Sequence, residues 1–216
     1  MKKGDFIWGG VLVLFSLIFV FESSRTSFIG LTSTYPLAGG FLKFMLLATM
    51  GELLSIRISS GEWINPGGLL YRALVWGFLG IIITLIFNIY GAGVTAGMNS
   101  GLLPFKGSSF AFAFFTSAFM NLTFAPTFMA FHRITDTIID AKVANKNTRI
   151  DLKAVESRID WYGFISFVVM KTIPLFWIPA HTITFLLPGE YRVVVAAYLS
   201  VALGAILAFS RKMKSA

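Results

Sequence analysis

The chain of 216 residues has no cysteine, only two histidines and only 10 acidic residues. Without cysteine there is no disulfide, no Cys-ligated zinc and no thiol nucleophile, and the redox compartment is left open. Charged residues make up 13%, about half the share of an average soluble domain. Catalytic signatures are missing as well. There is no G-x-S-x-G, no H-E-x-x-H and no P-loop, so the chain is not expected to be an enzyme, and no cofactor or metal is implied.

What fills the chain is apolar. Hydrophobic residues reach 56%, phenylalanine alone contributes 23 positions, and mean hydropathy is +0.77. No charge occurs between Arg72 and Lys106, nor between Lys106 and Arg133 with His132 neutral. A hydrocarbon core about 30 Å thick is crossed by about 20 apolar residues in a helix, so each stretch holds a span. The expectation is an all-α, polytopic transmembrane helix bundle whose first partner is the lipid bilayer. Six spans are read, at about 6–21, 36–58, 69–90, 108–131, 161–187 and 191–210. The connections at 22–35, 59–68 and 91–107 are rich in Ser, Thr, Gly and Pro. Residues 1–34 read as an N-terminal transmembrane segment and loop, and 35–212 as the helical membrane core.

Met1-Lys2-Lys3 followed by Phe6–Phe21 has the outline of a signal peptide. A cleavable signal ends in small residues, whereas this one ends Phe19-Val20-Phe21-Glu22. It is read as a retained first span. With six spans, one side collects Lys2, Lys3, Arg57, Arg72, the six basic residues from Arg133 to Arg158, and Arg211, Lys212 and Lys214. The other side holds Arg25, Lys106 and Arg192. Thirteen against three places both termini on the cytoplasmic side or its organellar equivalent. This placement also accounts for the net charge of +8 without nucleic acid, which is not expected as a partner.

The segment near 133–160 is the only sizeable soluble stretch. Leu152, Val155 and Ile159 share helical spacing, and Thr148-Arg149-Ile150-Asp151 has the form of a capping box. It reads as an amphipathic surface helix favouring anionic headgroups, or equally as a solvated connector. Asp136 and Asp140 lie on one helical face, where a solvated helix end explains them better than a metal.

Ionisable groups inside spans are costly unless paired or wetted. Lys43 is two turns into the second span and is expected to snorkel. Glu52 is five residues from Arg57, about 8 Å inside the basic side, and Lys171 is eleven residues past Asp160, about 16 Å from it. These depths permit a Glu52–Lys171 pair, lining an aqueous path or buried as a tie. Pro174, Pro179 and Pro188 punctuate the fifth span among Lys171, His181, Thr182 and Thr184. Broken membrane helices bind solutes in many transporters, though a kink that merely shapes packing would look the same. Asn88, Asn121, Thr123 and Pro126 add polarity to the third and fourth spans. Gly93, Gly97 and Gly101 form two weak G-x-x-x-G steps.

Trp177, His181, Thr184-Phe185, Pro188 and Tyr191-Arg192, followed by an apolar helix and a basic end, resemble the C-terminal signature W-P-x-x-Q-x-x-N-F-x-x-x-P-x-x-Y-R of the Mpv-seventeen and peroxisomal-membrane-protein-twenty-two family, whose Trp-Pro stands here as Trp177-Ile178-Pro179. Tyr35-Pro36 and Leu47 to Ser55 resemble its first-helix pattern, with Glu52 at the family's Asp and Ile56 at its Gln. Tyr71-Arg72 to Tyr90, and Asn121 to Pro126, fall where the family has its R…G…WY and D-Q…P elements. His181 and Thr184 stand at the Gln and Asn positions, and Phe185 to Pro188 is one residue shorter.

The resemblance implies a small integral membrane protein, either of a bacterial inner membrane or of the mitochondrial inner or peroxisomal membrane. It implies a weakly selective channel or pore for small solutes or ions. The solute path would pass Glu52, Lys171, His181, Thr184 and Asn121. Trp177, Pro179, Pro188, Tyr191 and Arg192 would set helix packing. A homo-oligomer is compatible with this. The alternative is a non-transporting membrane scaffold, or an assembly or stress factor, in which the same charges form a buried network.

Overall fold

The computed structural model describes residues 2–145, 149 and 151–214, with side chains as far as 206. Among the described residues every regular element is a helix: α1 (Lys3–Val20), α2 (Glu22–Thr34), α3 (Pro36–Ser60), α4 (Leu69–Asn99), α5 (Ser109–Thr123), α6 (Ala125–Ala144), α7 (Leu152–Glu156), α8 (Trp161–Gly163), π1 (Phe164–Trp177), α9 (Ile178–Leu186) and α10 (Gly189–Lys214). Five stretches are long and apolar enough to cross a membrane: Lys3–Val20, Pro36–Ser60, Leu69–Asn99, Trp161–Leu186 and Gly189–Ile206. The bent pair α5–α6 passes the same test when taken together and would make a sixth if counted as one span. The all-helical, multi-pass expectation holds on length and composition.

Several boundaries differ from the sequence reading. The 22–35 connection is mostly helix α2, because its serines and threonines bond back to the preceding turn: Ser27 Oγ donates to Ser23 O and Thr34 Oγ1 to Gly30 O, both at 2.9 Å. Helix α4 runs nine residues beyond the expected end at Tyr90, and α6 carries the fourth span on to Ala144. α5 and α6 meet at 47°, where Phe124 precedes Pro126. A proline lacks the N–H that would continue the ladder, so a bend there is expected. The amphipathic surface helix shrinks to the five residues of α7. Val155 and Ile159 are buried but Leu152 is exposed, so the three do not form one face. Thr148 and Ile150 of the expected capping box lie outside the described residues. Asp151 caps α7 alone, accepting from Lys153 N at 3.2 Å.

The chain forms two compact units. The first comprises Met1–Pro66, Trp76–Thr84 and Val193–Ala216, and the second Gly67–Val75 and Leu85–Arg192. In the first unit, α1 packs on α2 and α2 on α3. Polar ties hold the start of α1. Asp5 accepts from Arg57 Nε and from Trp63 Nε1, each at 2.8 Å, while Lys2 pairs with Glu62. Further along, Trp8 Nε1 donates to Met50 O at 3.0 Å, and Ser16 Oγ lies 2.7 Å from Tyr198 OH. The first span is thus hydrogen-bonded to α3 and α10.

Helices in lipid have little hydrophobic drive to associate and rely on close packing at small residues. Here those residues are not the expected Gly93, Gly97 and Gly101. A Cβ on Gly93 or Gly101 would meet nothing within 4 Å, and one on Gly97 only the Leu103 side chain. The close approaches are α3 to α4, where a Cβ on Gly80 would strike Gly40 O, and α3 to α10, where a Cβ on Gly51 would lie 2.7 Å from Ser200 O. Lys43, on the same helix, does not snorkel. It is 5% exposed, and its ammonium sits 5.1 Å from the centre of the Phe28 ring on α2.

In the second unit α5 packs closely along α9 and also touches α6 and π1. The buried face of α5 is Ala111, Ala113, Thr116, Ser117, Ala118, Met120 and Asn121, mostly small residues that let α9 approach. Arg72 at the start of α4 is tied to α6. It donates to Asp136 Oδ1 at 3.3 Å and pairs with Asp140, so the two carboxylates read as a solvated helix end are instead ion-paired.

Candidate functional site

The fifth span is continuous from Trp161 to Leu186 but changes register within it. Over Phe164–Trp177 the backbone is π-helical, bonding five residues back, as Ile178 N does to Ile173 O. Pro174 lies inside this stretch, and Pro179 sits in the first turn of α9, where a missing N–H costs least. π-helical turns are rare and concentrate at functional sites. Beyond this stretch His181 meets Asn121 of α5 and Phe87 of α4.

His181 is the centre of the cluster. Its ring stacks on Trp177, with centroids 5.1 Å apart and planes at 24°, and meets Phe87 edge-on at 5.6 Å. His181 Nδ1 lies 3.0 Å from Asn121 Nδ2 and 3.3 Å from Asn121 Oδ1, the roles depending on the imidazole tautomer. Asn121 is 1% exposed and also donates to Ser117 O at 2.8 Å. Ser117 Oγ donates to Ile178 O at 2.7 Å, which also accepts from Thr182 Oγ1 at 2.7 Å. The Trp177 indole N–H is buried without a hydrogen-bond partner among the described residues. A neutral amide, an imidazole, two hydroxyls and an indole N–H therefore meet between helices of membrane-crossing composition. Such a set offers hydrogen-bond donors and acceptors within apolar surroundings.

Phe185 continues the cluster toward the end of α9. It packs 4.8 Å from Phe87 and 6.5 Å from Phe112, then forms part of the wall of a cavity of about 310 Å³. Arg192 lines the same cavity with Ser108, Ser109, Thr95 and Asn99. The guanidinium lies 5.5 Å from the Phe112 ring centre and 5.6 Å from that of Phe185, and its Nε donates to Leu187 O at 2.9 Å. Arg192 thereby caps the C-terminal end of α9, where a cation is favoured.

Of the residues expected on a solute path, Asn121 and His181 come together by direct hydrogen bonding. Thr184 is fully buried on the same helix, but its hydroxyl is spent on Ala180 O at 2.9 Å. Lys171 is exposed in π1. Glu52 belongs to the first unit, where Trp76 Nε1 donates to its Oε2 at 3.3 Å. Pro179 sits in the first turn of α9, Trp177 stacks on His181 and Arg192 bonds Leu187 O, while Pro188 separates α9 from α10, with Tyr191 N bonding its carbonyl at 3.1 Å. Sequence reasoning missed Ser117 and Phe87, whose only signal was a small residue and an aromatic at helical spacing from Asn121 and Thr84. No family model, curated protein or solved structure matches this chain.

Proposed function

We propose that this is a multi-pass membrane protein that passes small hydrophilic solutes or ions, with the path inside its second unit. The observation that carries the reading is the buried Asn121–His181 hydrogen bond, flanked by Ser117 and the unpartnered Trp177 indole. Polar side chains in a membrane interior are expensive and are retained mainly where they serve a pathway or a tie. Here the cluster is followed by Phe185 and then by a polar cavity containing Arg192. A gate of aromatic rings between two polar compartments fits weak selectivity.

The basic residues place both termini on the cytoplasmic side in this proposal. Divergent membership of the Mpv-seventeen and peroxisomal-membrane-protein-twenty-two family belongs to the same proposal, resting on the Trp177 to Arg192 signature. Glu52 and Lys171 are not needed for it.

A scaffold is the second reading. It is favoured by the ion pairs Arg72–Asp136 and Arg57–Asp5, which tie helices together as a static assembly would. Solute and ion flux through proteoliposomes separates the two. The conducting reading expects flux above empty vesicles, lowered severalfold by His181→Phe with helical content and insertion unchanged. Tight vesicles containing folded, inserted protein would give the case to the scaffold.

A further inference from the structure

The cavity beside Arg192 has a property the conducting reading does not use. The Arg192 side chain is half-buried, and Leu187 O engages only its Nε. Its two terminal nitrogens have no hydrogen-bond or ion-pair partner among the described residues, although a guanidinium carries five donors in a fixed fork. The surrounding wall offers hydroxyls from Ser108 and Ser109 and no carboxylate. A second cation stands at the rim, since Lys106 Nζ donates to Asn99 O at 3.3 Å and Asn99 lines the cavity. Glu190, two residues along, interacts with Arg192 only through its charge. The volume of about 310 Å³ lies at the small end of ligand pockets.

We infer that this cavity is a binding site for a small oxyanion, a phosphate or a short carboxylate, held by the terminal nitrogens of Arg192 and the hydroxyls of Ser108 and Ser109. Arg is suited to this because its planar fork matches two oxygens of one anion. The Phe112 and Phe185 rings, 5.5 and 5.6 Å from the guanidinium carbon, flank the group and leave its terminal nitrogens open to an anion. The Phe contacts and the Leu187 bond keep the side chain in place when the site is empty. The inference names the solute class of the proposed path and rests on that reading for the step from binding to passage. Binding itself stands independently. The same oxyanion chemistry is presented by a free solute and by a lipid headgroup phosphate.

The test measures radiolabelled inorganic phosphate bound to the full-length protein at equilibrium in a non-ionic detergent, with flux measured separately in phosphatidylcholine vesicles. Saturable phosphate binding is expected, weakened on the order of tenfold or more by Arg192→Gln and less by Arg192→Lys. Ser109→Leu, which puts a bulky side chain at the cavity wall and leaves Arg192 in place, should weaken it as well. That second variant covers the case in which Arg192→Gln fails to fold. Displacement of the bound phosphate by added anionic phospholipid, lost in Arg192→Gln, would support the site and identify a headgroup as its occupant. Phosphate bound and vesicles tight would support the site while removing the conducting path. Absent or Arg192-independent phosphate binding by folded protein overturns the inference, and flux persisting in that protein would leave the conducting reading standing.

Discussion

Arg72 donates to Asp136 across 3.3 Å, the arginine side chain 6% exposed and the aspartate 20%. Asp140 completes the clamp but is 64% exposed. Removing one partner of a buried pair leaves the other charge uncompensated and costs about 3–5 kcal/mol, whereas an exposed ion pair contributes about 0–1 kcal/mol. Asp136→Asn leaves Arg72 with Asp140 alone and should destabilise the protein by about 1–3 kcal/mol, less than the full penalty of an uncompensated charge, and Asp140→Asn by less than about 1 kcal/mol. Unfolding in mild detergent, followed by loss of helical signal, measures both. Equal losses would mean that the two carboxylates share the load.

Glycines supply the second prediction, because the chain has two kinds. A methyl at position 80 would land on the Gly40 carbonyl of the neighbouring helix, and a backbone atom cannot step aside as a flexible side chain can. Gly80→Ala should cost about 1–3 kcal/mol through overpacking. Gly93→Ala meets open space within the same helix and should gain about 0.4–1 kcal/mol from the reduced freedom of the unfolded chain. Opposite signs from one substitution in one helix are the expected result. The same sign at both positions would show that the α3–α4 approach is looser than described.

This pair also shows what the amino-acid order reveals and what it hides. G-x-x-x-G spacing at Gly93, Gly97 and Gly101 is visible in one dimension, but the packing glycines Gly40 and Gly80 lie forty residues apart on different helices. Charge-free runs mark spans because bilayer thickness is a one-dimensional constraint, and so five or six spans were legible. The extents of α2 and α4 were not, since serine, threonine and glycine are tolerated in helices whose hydroxyls bond back to the turn before. His181 and Asn121 were legible as polar groups in apolar surroundings. Their meeting, and the recruitment of Ser117 and Phe87, depends on the register change in π1, which no periodicity announces.

The Asn121–His181 contact is expected to carry measurable coupling. Each single change, Asn121→Leu or His181→Phe, leaves a buried polar group unpaired, at about 1–3 kcal/mol. The double variant leaves an apolar pair instead and should cost less than the sum. A double-mutant cycle in detergent should return a coupling of about 1 kcal/mol. A coupling near zero would mean that the two side chains are neighbours without being partners.

Lys43 offers the sharpest separation of stability from function. It is 5% exposed, inside α3, with no hydrogen bond or ion pair among the described residues and only the Phe28 ring beneath its ammonium. A desolvated cation–π contact contributes about 2 kcal/mol, while burying an unpaired ammonium costs several kcal/mol. The cost exceeds the gain, so the lysine weakens the fold it sits in. Lys43→Met keeps the length and the apolar stem and removes the charge; it should leave stability unchanged or raise it. Thermal unfolding of the two proteins in the same detergent reads the sign. Should Lys43→Met instead lower the unfolding midpoint, the ammonium must have a partner that the Phe28 contact does not account for. Should it raise the midpoint and also alter flux, the charge is kept at a cost in stability for the sake of what crosses the membrane, as intramembrane cations generally are.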